Sequence, residues 1–200
     1  QYSIIQIIIR KEKITGKIDV PTYLRDYVAP EEFLEYCKEC DSYNRNWSCP
    51  EFGYDVLDYW NKAETLHIFG YRLWFDREET EKERSPEELQ SLMKRILDKE
   101  KLEMADILYD YEEWYPGSIS LSAGSCHLCM ECERIYDRPC RYPDRMRYSM
   151  EALGANVGKT CSKLLGLDLL WTEENKLPAY FVLIGGLLSK EADIDWNRTP

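Results

Sequence analysis

Histidine is nearly absent from this chain, which has two histidines among 200 residues. Because imidazole is a common side chain in acid–base catalysis and metal ligation, a histidine-based site has little scope here. Basic residues are also scarce: 26 Lys and Arg stand against 37 Asp and Glu, for a net charge of −11. A chain this acidic repels a phosphate backbone, so we expect no nucleic-acid partner.

Long apolar runs are missing as well. The run from Tyr180 to Leu188 is about half as long as a membrane span requires. Ile4 to Ile9 has neither the basic flank nor the small-residue cleavage site of a signal peptide. We therefore expect a soluble, cytoplasmic protein without membrane contact. Its length and 44% hydrophobic content suit a single domain over residues 1–200.

Two motifs of known enzyme classes are incomplete. Residues 154–160 look like a phosphate-binding loop, but a Walker motif needs four residues between its glycines and this segment has three. The C-x3-C-x2-C spacing of radical S-adenosylmethionine enzymes is missing too, because both cysteine runs open with two intervening residues. We predict neither activity.

Cysteine, by contrast, occurs eight times and is clustered. The denser set, called here the C-terminal cysteine group, has the spacing C-x2-C-x2-C-x7-C and consists of Cys126, Cys129, Cys132 and Cys140. It resembles the bacterial ferredoxin run, stretched before its last cysteine. Zinc needs all four sulfurs about 2.3 Å from one ion, which a single tight loop supplies poorly. We therefore favour a [4Fe-4S] cluster as cofactor, with zinc or no metal as alternatives; the spacing disfavours disulfides.

Five arginines surround the last of these cysteines, against the acidic trend of the chain: Arg134, Arg138, Arg141, Arg145 and Arg147. Guanidinium groups beside a negatively charged cluster would stabilise it and raise its reduction potential. Two alternatives stay open. The arginines could form a solvated or carboxylate-paired face, or a docking surface for an anionic substrate or an acidic partner.

A second set, called here the N-terminal cysteine group, is one ligand short of four. It consists of Cys37, Cys40 and Cys49, the last followed by proline. Two-cluster ferredoxins lend the last cysteine of one run to the other cluster, so Cys140 could serve this group instead.

Cys161 is the remaining candidate ligand for the N-terminal cysteine group. Its helical spacing with neighbouring aliphatic residues also suits a buried apolar position. If no cysteine completes the group, water, His67 or Asp41 could do so. An iron left open to substrate would favour catalysis over electron transfer. His127, inside the C-terminal cysteine group, is expected to turn away from the ligands.

Strands and helices alternate along the chain. Apolar, β-branched and aromatic runs predict strands over 3–10, 65–75, 119–121 and 179–184. Helices are predicted over 30–37, 54–62, 86–114, 149–153 and 156–165, the third opening on a capping box at Ser85. This α/β alternation predicts an α+β sandwich with about four strands in a mostly antiparallel sheet, helices mainly on one face, and cysteine-rich metal-binding loops at one edge.

The cysteine motifs also carry a family resemblance. The first half reads C-x2-C-x2-Y-x3-W-S-C-P from Cys37, and the second group is followed by Ser149-Met150-Glu151-Ala152-x-Gly154. Together these motifs resemble the predicted metal-binding proteins of domain of unknown function 2284 (DUF2284) over nearly the whole chain. The resemblance implies a bacterial or archaeal metal-binding protein without an established activity.

Three functions remain to be separated. The leading hypothesis is an iron–sulfur protein with one or two [4Fe-4S] clusters that transfers electrons to a redox partner protein. The first rival is a zinc-binding module whose cysteines only connect loops. The second is an enzyme that uses an open iron on the N-terminal cysteine group. The sequence does not define the oligomeric state.

Overall fold

A four-stranded antiparallel sheet forms the centre of the structure, a computed structural model that describes residues 7–198. Its spatial order is β1-β2-β4-β3, and each neighbouring pair runs antiparallel. The strands are β1 (Ile8–Asp19), β2 (Thr65–Phe75), β3 (Ile119–Leu121) and β4 (Tyr180–Ser189). The predicted α+β class with a four-stranded antiparallel sheet is confirmed.

Six α-helices accompany the sheet within the described residues. They are α1 (Val20–Tyr27), α2 (Pro30–Lys38), α3 (Leu57–Trp60), α4 (Arg77–Glu81), α5 (Pro86–Trp114) and α6 (Val157–Lys159). A 3-10 turn (Glu133–Tyr136) and a π-helical turn (Thr160–Leu164) add to them. Across residues 7–198, no helix combines the length and apolar character that a bilayer crossing requires.

The two faces of the sheet bury separate apolar cores, because side chains alternate along each strand. Leu66 and Ile68 of β2 contribute to one core together with residues of α1 and α3. Phe69 and Leu73 of the same strand contribute to the other, together with α5. Helices α1 and α3 thus share one face, whereas the longest helix, α5, covers the opposite face instead of joining them as the sequence predicts.

The first strand extends further along the chain than its apolar run indicates. The sequence predicts a strand over 3–10, of which residues 3–6 lie outside the described part of the chain. The observed strand continues through a charged stretch to Asp19. It is an edge strand, where charged side chains are tolerated. Ile14 is buried, while the Nζ of Lys11 lies 2.6 Å from a carboxylate oxygen of Glu103 on α5.

Helix α1 follows β1 directly and was not predicted. Asp19 caps it, because its side chain accepts a hydrogen bond of 2.9 Å from the backbone N–H of Thr22. Pro21 lies in its first turn. Both are ordinary start signals, but a helix of eight residues is too short to give a clear apolar period.

Three predicted elements near the C-terminal end need correction. Residues 149–153 form a turn instead of a helix, and the predicted helix over 156–165 divides into α6 and the π-helical turn. β4 continues past the predicted end at Ile184, through Gly185. A side chain at Gly185 would approach the backbone oxygen of Leu121 to 2.5 Å. Glycine at this position therefore permits β3 to pair with β4.

Replacing Leu108 with alanine measures how much the packing of α5 contributes to stability. Leu108 is 1% exposed and Leu102, on the same helix, is 37% exposed. Leu108→Ala should lower the free energy of unfolding by about 2–5 kcal/mol because it leaves a cavity. Leu102→Ala should lower it by less than about 1 kcal/mol. Equal losses in urea denaturation would contradict the observed packing of α5.

Candidate metal centre

The four thiols of the C-terminal cysteine group line one small cavity. The edge strand β3 leads into the loop that carries Cys126, Cys129 and Cys132. The 3-10 turn then reverses the chain, and Cys140 returns to the same cavity. The other lining residues are Leu128, Tyr142 and Met146 from this region and Asn46 and Trp47 from the segment that carries Cys49.

A reciprocal set of hydrogen bonds joins the two cysteine segments. The side-chain amide of Asn46 donates to the backbone oxygen of Cys126 at 3.0 Å, and the backbone N–H of Cys126 donates to Ser48 Oγ at 2.8 Å. The backbone N–H of Ser48 in turn donates to Asn46 Oδ1 at 3.0 Å. Ser48 is fully buried. Because an unsatisfied buried polar group is costly, these contacts fix one segment against the other.

Trp47 covers the cysteine cavity from the N-terminal side. Its backbone N–H donates to the sulfur of Cys132 at 3.4 Å, and its indole N–H donates to the backbone oxygen of Arg138 at 3.0 Å. The guanidinium of Arg134 lies 4.8 Å from its ring centroid and donates to Asn44 Oδ1 at 2.5 Å. Trp47 therefore donates a hydrogen bond to the sulfur of Cys132 and also contributes an apolar wall to the cavity.

The five arginines near Cys140 are all paired with carboxylates. Glu133, which is 8% exposed, contacts both Arg138 and Arg141. The remaining pairs are Arg134 with Asp137, Arg145 with Asp106, and Arg147 with Glu112, each at 2.7 Å. Of the alternatives that the sequence left open, the structure contains the carboxylate-paired network.

Burial raises the pKa of several cysteine thiols. This is the main cause of the raised pKa of Cys126 and of Cys129 in the C-terminal cysteine group. In the N-terminal cysteine group it raises the pKa of Cys37 and brings that of Cys49 to about 11. A buried thiolate therefore needs a compensating cation. Arg141 offsets part of the effect of burial on the pKa of Cys129, but the nearby arginines are paired with carboxylates, so a bound metal would supply the remaining compensation and displace the thiol protons.

The donor set of the C-terminal cysteine group fits a thiophilic metal or an iron–sulfur cluster. Four cysteines share one cavity, and a backbone N–H points at one of the sulfurs, as is usual around such centres. Among the described residues, no three His, Cys, Asp or Glu side chains converge on one point at ligation distance. A single metal ion would therefore require the thiols to move closer together, whereas a cubane would bind each thiolate to a different iron.

The N-terminal cysteine group lies at the end of α2 and borders a larger cavity. Cys37 is in the last turn of α2, Cys40 is exposed just beyond it, and Cys49 precedes Pro50. Cys37 and Cys49 line a cavity of about 340 Å³ between α2 and the segment 50–56.

Glu151 lines the same cavity from a different part of the chain. The sulfur of Cys37 lies 3.9 Å from its backbone oxygen. Its Oε2 atom is buried and has no hydrogen-bond partner. Burial is also the main reason why the pKa of Glu151 is raised. Sequence reasoning recognised the motif Ser149 to Ala152 but gave Glu151 no role, since only the fold brings it to the cysteines.

The other candidate ligands of the N-terminal cysteine group lie elsewhere. Cys161 is fully buried in the apolar core with Tyr23 and Trp60. His67 is buried in β2 and hydrogen-bonds the backbone oxygen of Glu191 at 2.8 Å. Asp41 borders a surface cleft with Cys132, and Cys140 lines the C-terminal cavity.

His127 contacts a helix instead of a cysteine. Its Nδ1 lies 3.1 Å from a carboxylate oxygen of Asp98 on α5. Its side chain thus leaves the ligand loop, as the sequence analysis expected.

The fold and these two cysteine groups define an α+β protein with a cysteine-rich candidate metal centre. The chain matches the family described as predicted metal-binding protein (DUF2284) over residues 23–188, and it belongs to that family. The match includes both cysteine groups and the motif around Glu151. No curated protein and no solved structure matches the chain.

Substituting Ser48 tests the junction between the two cysteine segments. Ser48→Ala leaves the buried N–H of Cys126 without its acceptor, so the free energy of unfolding should fall by about 1–3 kcal/mol. Ser162→Ala, at an exposed position, is the matched control and should change it by less than about 0.5 kcal/mol. Urea denaturation measures both values. A Ser48→Ala protein as stable as the control would show that this hydrogen bond does not hold the segments together.

Proposed function

We propose that this protein is a cytoplasmic iron–sulfur electron carrier. One [4Fe-4S] cluster is bound by the C-terminal cysteine group (Cys126, Cys129, Cys132 and Cys140), and a second metal site lies on the N-terminal cysteine group (Cys37, Cys40 and Cys49). When bound, such a cluster supplies reversible one-electron chemistry. A redox partner protein exchanges the electron with it.

The observation that carries this proposal is the shared cavity of the four cysteines. Three of them come from one short loop and the fourth returns from beyond the 3-10 turn. A cubane offers a separate iron to each thiolate, so three closely spaced cysteines and a more distant one suit it. All eight cysteines are unbridged, as expected in a reducing cytoplasm.

The residues around the cavity support a redox role. The backbone N–H of Trp47 points at the sulfur of Cys132, and hydrogen bonds to sulfur are among the factors that set a cluster's potential. Trp47, Leu128 and Met146 line the cavity and limit the access of water.

The surface near the C-terminal cysteine group suits a partner protein. Met130, between Cys129 and Cys132, is fully exposed, and Tyr142 is about half exposed. Arg138 pairs with Glu133 but its side chain is 68% exposed. Exposed apolar side chains beside a cation favour an acidic partner with an apolar contact patch.

Anaerobic purification tests the proposed cofactor. The protein should be brown, absorb near roughly 400 nm, and contain iron and acid-labile sulfide. Cys129→Ala should remove most of the iron and sulfide that the C-terminal cysteine group holds, because it deletes a ligand. Cys161→Ala, in the apolar core, is the matched control and should retain them.

Two results would contradict the proposal. A colourless protein with stoichiometric zinc would favour the zinc-binding module. Brown protein whose iron and sulfide content is unchanged by Cys129→Ala would place the cluster outside the C-terminal cysteine group.

A further inference from the structure

The N-terminal cysteine group supplies three thiols, and a fourth donor has to come from elsewhere in the fold. Cys37 and Cys49 line one side of the 340 Å³ cavity, and Glu151 lines it from the turn that follows the C-terminal cysteine group. Direct contact joins these parts, since the sulfur of Cys37 lies 3.9 Å from the backbone oxygen of Glu151.

One carboxylate oxygen of Glu151 is buried without a hydrogen-bond partner. This atom is Oε2, and it is shielded from solvent. Hydrogen bonds from Ser149 and from the residue's own backbone N–H reach the carboxylate, but burial removes the hydration of Oε2 and no hydrogen bond replaces it there. The half-buried Lys101 is a nearby cation whose charge offsets part of the effect of burial on the pKa of Glu151. A buried carboxylate oxygen without a hydrogen-bond partner, on a residue that shares a cavity with two thiols, has the environment of a metal ligand.

The local fold holds Glu151 in this position. Ser149 Oγ accepts a hydrogen bond of 3.0 Å from the backbone N–H of Ala152, which closes the turn around Glu151. The turn ends at Gly154, whose φ is +84°. A Cβ on Gly154 would lie 2.7 Å from the Cα of Pro30. Glycine therefore lets the turn pack against the start of α2, the helix that carries Cys37 in its last turn.

The alternative donors fit less well. Cys161 lies in the apolar core, and although the charge of Glu151 acts on its thiol, it does not line the cavity. His67 already has a hydrogen-bond partner on the sheet. Glu51 lines the cavity but is exposed to water, so it has no buried oxygen without a hydrogen-bond partner, as Glu151 has in Oε2.

We propose that the carboxylate of Glu151 is the fourth ligand of the metal site formed by Cys37, Cys40 and Cys49. This inference rests on the part of the proposed function that assigns a metal to the N-terminal cysteine group. The four donors are not yet at ligation distance from one point, so binding draws them together, and the exposed Cys40 has the most room to move. Three soft sulfurs and one harder oxygen suit iron or zinc.

The test compares metal content and absorption of the full-length protein, purified without oxygen. The metal held by the N-terminal cysteine group is measured as the metal content of the wild type minus that of Cys49→Ala. Glu151→Gln keeps the size of the side chain but replaces the carboxylate with a weaker metal ligand. It should lose the same amount of metal as Cys49→Ala, with a metal affinity at least about tenfold lower. Glu151→Cys should retain the metal and change the sulfur-to-metal charge-transfer band, because a fourth thiolate joins the site.

Two control variants separate ligation from general disruption. Glu51→Gln alters a carboxylate of the same cavity, and Cys161→Ala removes the rival sulfur. Both should keep the wild-type metal content. Circular dichroism should show the same fold for every variant.

Three outcomes would overturn the inference. They are full metal retention by Glu151→Gln, metal loss in Cys161→Ala, and a wild-type metal content in Cys49→Ala. The proposed [4Fe-4S] cluster can fail independently: if Cys129→Ala changes neither iron nor sulfide, the C-terminal assignment is wrong, while the Glu151 and Cys49 variants still report on the N-terminal site.

Discussion

The hydrogen bonds that Asn46 and Ser48 exchange with Cys126 are the constraint on which the candidate metal centre depends. They connect residues about 80 positions apart in the sequence, and each uses a buried or half-buried polar group that would otherwise be unsatisfied. Closing so long a loop costs conformational entropy. The sheet already meets part of that cost, because β2 and β3 both lie between these two segments in the sequence and each pairs with β4. The junction then fixes Trp47 over the cavity and brings the N-terminal cysteine group beside the C-terminal one.

The arginines near the cysteines are paired with carboxylates, so a metal is the cation available to neutralise the thiolates. The arginines around Cys140 are engaged by carboxylates, with Glu133 shared between Arg138 and Arg141. Burial raises the pKa of thiols in both cysteine groups. Protonated thiols satisfy this environment without a metal, and thiolates become favourable only when a cation binds between them. Metal binding and proton release are therefore coupled in this account.

The sequence predicts those elements whose signal is local. β2 and α5 begin and end where their sequence patterns indicate, and the capping box at Ser85 marks the start of α5. The spacing of the C-terminal cysteine group likewise identifies four thiols that line one cavity. The sequence does not predict the charged half of β1, where Lys11 finds a carboxylate on α5 only after folding. Glu151 is missed for a related reason. In the sequence it is one of many acidic residues, and only the packing of its turn on α2 leaves its Oε2 atom buried without a hydrogen-bond partner.

Anomalous X-ray diffraction at the iron absorption edge, on crystals of protein purified without oxygen, tests the central claim most directly. The account predicts one strong iron peak within the cavity of Cys126, Cys129, Cys132 and Cys140, and a separate metal peak between Glu151 and the N-terminal cysteine group. Crystals that contain iron but have no peak in the C-terminal cavity, or that carry it at another surface, would contradict the account.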